Sequence, residues 1–132
     1  GEVGPNPSGV EFGTVSVRAD ELAGSDELFC GVPGEFLAHV GHWESVLRLP
    51  PNARCLASND MDPHHVFAVG ARAWGVQFHP EFDVEITAAY LRVFSEKLQK
   101  AEVNPGEQLS SLTETPVATS HLARFGQLFA ER

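Results

Sequence analysis

The sequence predicts an α/β chain that is β-rich first and helical afterwards. Three observations carry this. Short alternating runs such as "GTVSVRA" (Gly13 to Ala19) recur between turn-forming residues. Two of them meet at a tight Gly70–Arg72 turn within "HVFAVGARAWGVQFH", the pattern of a β-hairpin. From Asp83 onward the apolar residues fall at Val84, Ala88, Leu91, Phe94 and Leu98, a helical stripe.

In order along the chain, "GEVGPNPSG" is glycine- and proline-rich and is expected to be a loop. "GTVSVRA" is a strand. "ADELAGSDELFCGVPGE" carries breakers near its end and is expected to form a short helix or turn and then a loop. "EFLAHVG" is a strand running into "HWESVLRLPPNA", where Pro50-Pro51 enforces extended or turn backbone. "RCLASND" is a short strand, "NDMDPHH" a turn, and the hairpin follows. Asp83 is placed to cap the next helix, with Glu85 in its first turn and Lys97 and Lys100 at its other end. Residues 101–114 are expected to be a connector between a domain at 1–100 and a last helix over 115–132. That helix opens on Thr115-Pro116, a cap followed by proline at the first helical position. Its stripe is Ala118, Leu122, Phe125 and Phe129, which leaves His121 off the stripe and solvated.

With 132 residues the chain has the length of one domain, and 42% hydrophobic against 20% charged residues excludes a disordered class. A net charge of −9 and scattered basic residues exclude a nucleic-acid or anionic-membrane surface. No apolar run reaches transmembrane length, and a cytoplasmic protein is the expectation. Cys30 and Cys55 form neither a disulfide framework nor a CxxC motif. The chain opens without methionine, and its only one is Met61, so residue 1 is expected not to be the biological start.

The chemistry concentrates in "WGVQFHPEF", Trp74 to Phe82. On a strand His79 and Glu81 project to one side, and Pro80 between them suits a strand end. The carboxylate could hold one imidazole nitrogen and leave the other free as a base. Asp60, Asp62, His64 and His65 cluster in "NDMDPHHV", but polar turns have this composition anyway and no zinc-type spacing accompanies them, so no metal is expected. His39 and His42 lie three apart, which does not put both on one strand face. Trp43 and Trp74 are expected to be packing residues.

"WGVQFHPEF" resembles the signature near the C-terminal end of class I (triad-type) glutamine amidotransferase domains. "GEVGPNPSGVEFGTVSV" is similar to the segment after that family's nucleophile helix. "HWESVLRLPPNARCLASN" resembles its His-x-Asp/Glu-x-Val…Leu-Pro…Leu-Ala-Ser segment. "FDVEITAAYL" and the appended "ETPVATSHLARFGQLF" look most like the stand-alone, GMP synthase-like group. The resemblance implies the C-terminal part of a flavodoxin-like, doubly wound α/β domain. It implies glutamine hydrolysis to glutamate and ammonia through a Cys-His-Glu triad and a γ-glutamyl thioester, with no cofactor. His79 matches the triad base and Glu81 its carboxylate; Gly41, His42 and Trp43 match a loop near bound glutamine, contributing mainly backbone groups.

The family's nucleophile sits in a Gly-x-Cys-x-Gly turn, and neither "LFCGVPGE" nor "ARCLASN" has that form. The nucleophile is therefore expected before residue 1, and the chain alone is expected to be inactive. The implied partners are glutamine, the missing N-terminal half of the domain with its central parallel strands, and a synthetase or amination partner. Apolar sheet surface left bare by that absence is expected to favour association, including a homo-oligomer. Two alternatives stand beside this one: a non-catalytic remnant acting as a binding or regulatory module, and a γ-glutamyl peptide hydrolase using the same triad.

Overall fold

The computed structural model describes residues 1–130. Its strands are β1 (Glu2–Pro5), β2 (Glu11–Ala19), β3 (Glu35–His42), β4 (Glu44–Arg48), β5 (Ala53–Ser58), β6 (Val66–Val69) and β7 (Ala73–Val76). Its helices are α1 (Val84–Val93), α2 (Ser95–Lys100), α3 (Pro105–Ser110) and α4 (Pro116–Ala130). A short 3-10 turn covers Glu21–Ser25. The five-stranded sheet runs β3-β2-β5-β6-β7, and β1 pairs with β4 in a separate ribbon. Every pairing among the described residues is antiparallel. The result is a mixed α/β unit, a curled antiparallel sheet followed by helices.

β2 explains the curl. It pairs with β3 from Glu11↔His42 to Arg18↔Glu35, but with β5 only at Arg18↔Ser58 and Ala19↔Ala57. Its two faces serve two cores, since Phe12 and Val17 are an odd number of residues apart. Val17 joins Phe29, Phe36, Leu56, Val66, Phe78 and Ala118 in the larger core. Phe12 joins Leu91 and Leu98, with Trp43, Phe94 and Leu109 packed around them. At the far edge, the backbone N–H of His79, beyond β7, donates to the carbonyl of His39 on β3 at 2.8 Å. The segment beyond one end of the sheet thus meets the strand at its other end at His79.

The hairpin forms as expected, with Gly70 in the left-handed region at φ 63°. Gly75 leaves room for the Phe67 ring across the ladder, since a Cβ there would lie 2.3 Å from it and the ring would have to shift. Asp83 caps α1, accepting from the N–H of Ile86 at 2.8 Å.

Five expectations need correction. The opening segment is not all loop, because β1 pairs with β4; Pro5 is tolerated at the end of that two-stranded ribbon. "EFLAHVG" and "HWESVLR" do not continue as one strand, since Trp43 separates β3 from β4 in another sheet. The connector holds α3, where Asn104 accepts from the N–H groups of Gly106 and Glu107 and Pro105 opens the helix. The stripe from Asp83 spans two helices that break at Phe94, whose ring packs edge-on against Phe12 and Trp43. α4 is rotated from its expected stripe: Leu122, Phe125 and Phe129 are exposed while Ala118 and His121 are buried. The His121 ring stacks on Phe29 at 4.3 Å, and its Nδ1–H donates to the Val117 carbonyl. Burial pushes its proton affinity down, so it packs as a neutral ring. Residues 131 and 132 of the expected helix lie outside the described residues.

Candidate active site

His79 and Glu81 do come together, but in a turn and not on a strand, since β7 ends at Val76. His79 Nδ1 donates to Glu81 Oε1 at 2.8 Å. A carboxylate can only accept, so a proton sits on Nδ1, and in the neutral ring Nε2 carries the lone pair. Nothing among the described residues bonds to Nε2. Side-chain exposures of 37% for His79 and 54% for Glu81 put that lone pair within reach of a substrate or a second polypeptide.

The surroundings fix the ring. The backbone is tied to β3 through the His39 carbonyl, and Phe82 N–H closes the turn onto the His79 carbonyl at 3.2 Å. The Phe82 ring stacks on the imidazole with centroids 4.1 Å apart and planes 9° from parallel, and Tyr90 of α1 backs Phe82 at 5.0 Å. Sequence reasoning missed Phe82, though its place two residues before the helix N-terminus was a usable signal. Beside Pro80 runs a small open groove lined by Phe29, Trp74, Phe78, Leu122 and Phe125. It is apolar and suits neither the amine nor the carboxylate of an amino acid.

The three weaker candidates sit at the end of β3. Gly41 lies under the Phe12 ring, where a Cβ would meet it at 3.1 Å. The Trp43 ring packs between Phe12 and Phe94 with the Lys97 ammonium 4.0 Å above it, so its side chain is a packing element. The His42 side chain turns inward. Its Nδ1 donates to the Glu44 carbonyl and its Nε2 faces Glu11 Oε1, both at 2.8 Å. The loop can therefore offer a substrate backbone groups but not the His42 ring.

That inward turn builds a second cluster, which sequence reasoning did not find. Glu11 is buried, and its Oε1 also meets His65 Nε2 at 2.9 Å, while Oε2 accepts from Asn59 Nδ2 at 2.6 Å. Burial alone would raise the Glu11 carboxyl. The hydrogen bonds from His42, His65 and Asn59 and the charge of His65 outweigh it and hold the group at about 2. Burial likewise works against a charged His42, but its bond to Glu11 prevails and its proton affinity is raised. Glu11, His42 and His65 each point one potential metal-ligand atom inward, all within 4.8 Å of one another. Of the expected turn cluster only His65 takes part: Asp60 pairs with Arg18 at the surface, and His64 bonds the Val46 carbonyl.

The two thiols are engaged elsewhere. Cys55 donates to the Pro63 carbonyl at 3.2 Å, and burial raises its thiol, the wrong direction for a nucleophile. Cys30 is exposed and lies against Arg124 of α4. Buried His39, beneath the seam, meets Thr14 Oγ1 at 3.2 Å, and burial lowers its proton affinity.

No family model matches the chain. It is 38% identical over 82 residues to the glutamine-hydrolyzing GMP synthase subunit of Ignicoccus hospitalis, across 61% of this chain and 42% of that one. It is 29% identical over 109 residues to gamma-glutamyl peptidase 3 of Arabidopsis thaliana, across 77% of this chain and 43% of that one. In fold it superposes on a crystallographically solved glutamine amidotransferase from Thermotoga maritima with a TM-score of 0.77 at 20% identity, covering 99% of this chain and 55% of the other. The chain thus spans about half the length of these relatives. No helix among the described residues is long and apolar enough to cross a membrane. Sequence and fold together support a GMP synthase-like glutamine amidotransferase domain.

Proposed function

We propose that His79 and Glu81 are the base and orienting carboxylate of a Cys-His-Glu centre that hydrolyses glutamine to glutamate and ammonia. The observation that carries this reading is the 2.8 Å bond from Nδ1 to Glu81, which leaves Nε2 open at an accessible position. Nε2 would take the proton of a cysteine thiol, and the imidazolium would be steadied by Glu81 as the thiolate attacks the amide carbon. The imidazolium then gives its proton to the departing ammonia, and water hydrolyses the γ-glutamyl thioester.

Cys30 and Cys55 do not fit the nucleophile's role, so the thiol is assigned to a segment beyond the 132 residues. The exposed Ile86, Tyr90 and Val93 on one side of α1 support a covering partner there. Relatives named as one subunit of a glutamine-hydrolyzing GMP synthase support an amination partner that receives the ammonia. The test measures glutamate and ammonia release from glutamine by this chain and by a form extended to the relatives' length. Hydrolysis by the extended form alone is expected. A folded extended protein without glutaminase activity overturns the reading.

A second reading keeps the same centre but gives it a γ-glutamyl peptide. The similarity to gamma-glutamyl peptidase 3 favours it, since that match covers more of this chain than the Ignicoccus hospitalis match does. Release of the amine from a γ-glutamyl dipeptide, in preference to ammonia from glutamine, separates the two.

A further inference from the structure

We propose that Glu11, His42 and His65 form a buried site for a divalent transition metal of the zinc class, which clamps β2, the end of β3 and the turn before β6. The three ligand atoms come from residues up to 54 positions apart and converge without a metal-binding motif in the linear sequence. The geometry is that of a prepared site. His42 donates Nδ1–H to a backbone carbonyl, the outer bond that fixes a metal-binding imidazole and aims its other lone pair inward. Nε2 of His42 and Nε2 of His65 both point at one carboxylate oxygen, at 2.8 and 2.9 Å.

His65 supplies the second argument. A metal on Nε2 places the remaining ring proton on Nδ1, which then needs an acceptor. Nδ1 of His65 is buried with no partner among the described residues, and so is Oδ2 of Asp62, three positions earlier in the same turn. Asp62 is wholly buried and forms no ion pair among the described residues, so the region holds two buried carboxylates, Glu11 and Asp62. A dication held by the two imidazoles and Glu11 would bring positive charge into this buried, carboxylate-bearing region. Hard cations such as calcium or magnesium are disfavoured by a set with two imidazoles and one carboxylate.

The test strips the protein with a chelator and titrates it with zinc by calorimetry and with cobalt by visible absorption. One ion per chain is expected, with a cobalt spectrum of nitrogen and oxygen ligands and no thiolate charge-transfer band. Glu11→Gln and His65→Asn should each weaken binding on the order of 100-fold, while His64→Gln, in the same turn, leaves it unchanged. If Glu11→Gln does not fold by circular dichroism, His65→Asn decides alone. Absence of stoichiometric binding by the folded wild-type chain overturns the proposal. So does a thiolate band, or an affinity that His65→Asn leaves intact.

Discussion

Two histidine–carboxylate pairs in this molecule share a separation of 2.8 Å and differ in almost everything else. His79 and Glu81 are two residues apart in a turn, and both face solvent. His42 and Glu11 lie 31 positions apart on paired strands, with side-chain exposures of 9% and 4%. The bond length is the same because imidazole and carboxylate are the same. The consequence differs with solvent access: the open pair keeps a nitrogen for an incoming group, while both nitrogens of the closed one are engaged within the protein. A His–Glu contact is thus not a functional signature by itself; what Nε2 can reach decides its role.

The largest expected effect breaks the comparison from the open side. In an active, extended form of the protein, His79→Ala should lower kcat by roughly 10³-fold or more, as loss of a general base does. The thermal midpoint should barely move, because the side chain is partly exposed and forfeits little beyond one aromatic stack. A large stability loss with little change in kcat would mean that the open pair is the structural one.

Glu11→Gln probes the closed side and should behave oppositely. The carboxyl held at about 2, instead of its ordinary 4.5, corresponds to about 3 kcal/mol of stability. The sign follows from the direction of each shift. The depressed Glu11 contributes fully above about 4.5, and its share is lost as pH falls toward about 2. The raised His42 contributes fully below 6.5 and loses its share as pH climbs through its higher folded value. With a chelator present, the wild-type advantage over Glu11→Gln should therefore be widest between about 4.5 and 6.5 and shrink on both sides. Taking that difference cancels the acid-side penalties of His39 and His121, whose depressed values are common to both proteins. Urea denaturation across pH measures it, and a difference that does not vary with pH would dissolve the closed pair as an electrostatic unit.

The two sites were unequally legible for the same reason that they differ. His79, Pro80 and Glu81 form a local motif, so spacing alone brought imidazole and carboxylate together, although their setting proved to be a turn. The Glu11 cluster needs the β2–β3 register and the turn before β6, information that only tertiary pairing supplies. Local chemistry also read the hairpin and the Asp83 cap correctly. It failed at α3, where Asn104 caps and Pro105 opens the helix, and at Thr115, whose hydroxyl is buried without a partner instead of capping α4. It failed on α4 because His121 entered the core by stacking on Phe29, a choice that polarity argues against and shape decides.

The smallest expected effect sharpens the open side. The Phe82 ring lies parallel to the imidazole and is braced by Tyr90, so it limits rotation of His79 about the axis that aims Nε2. Stacking of this kind contributes about 0.5–1.5 kcal/mol beyond buried area. Phe82→Leu should accordingly lower kcat by about 3- to 10-fold with KM unchanged, if the ring acts by holding the proposed base His79. Phe82→Tyr, which keeps the stacked face, should restore the rate. If KM rises while kcat holds, Phe82 belongs to the substrate's binding surface, and His79 is fixed well enough by Glu81 and the backbone bond to His39.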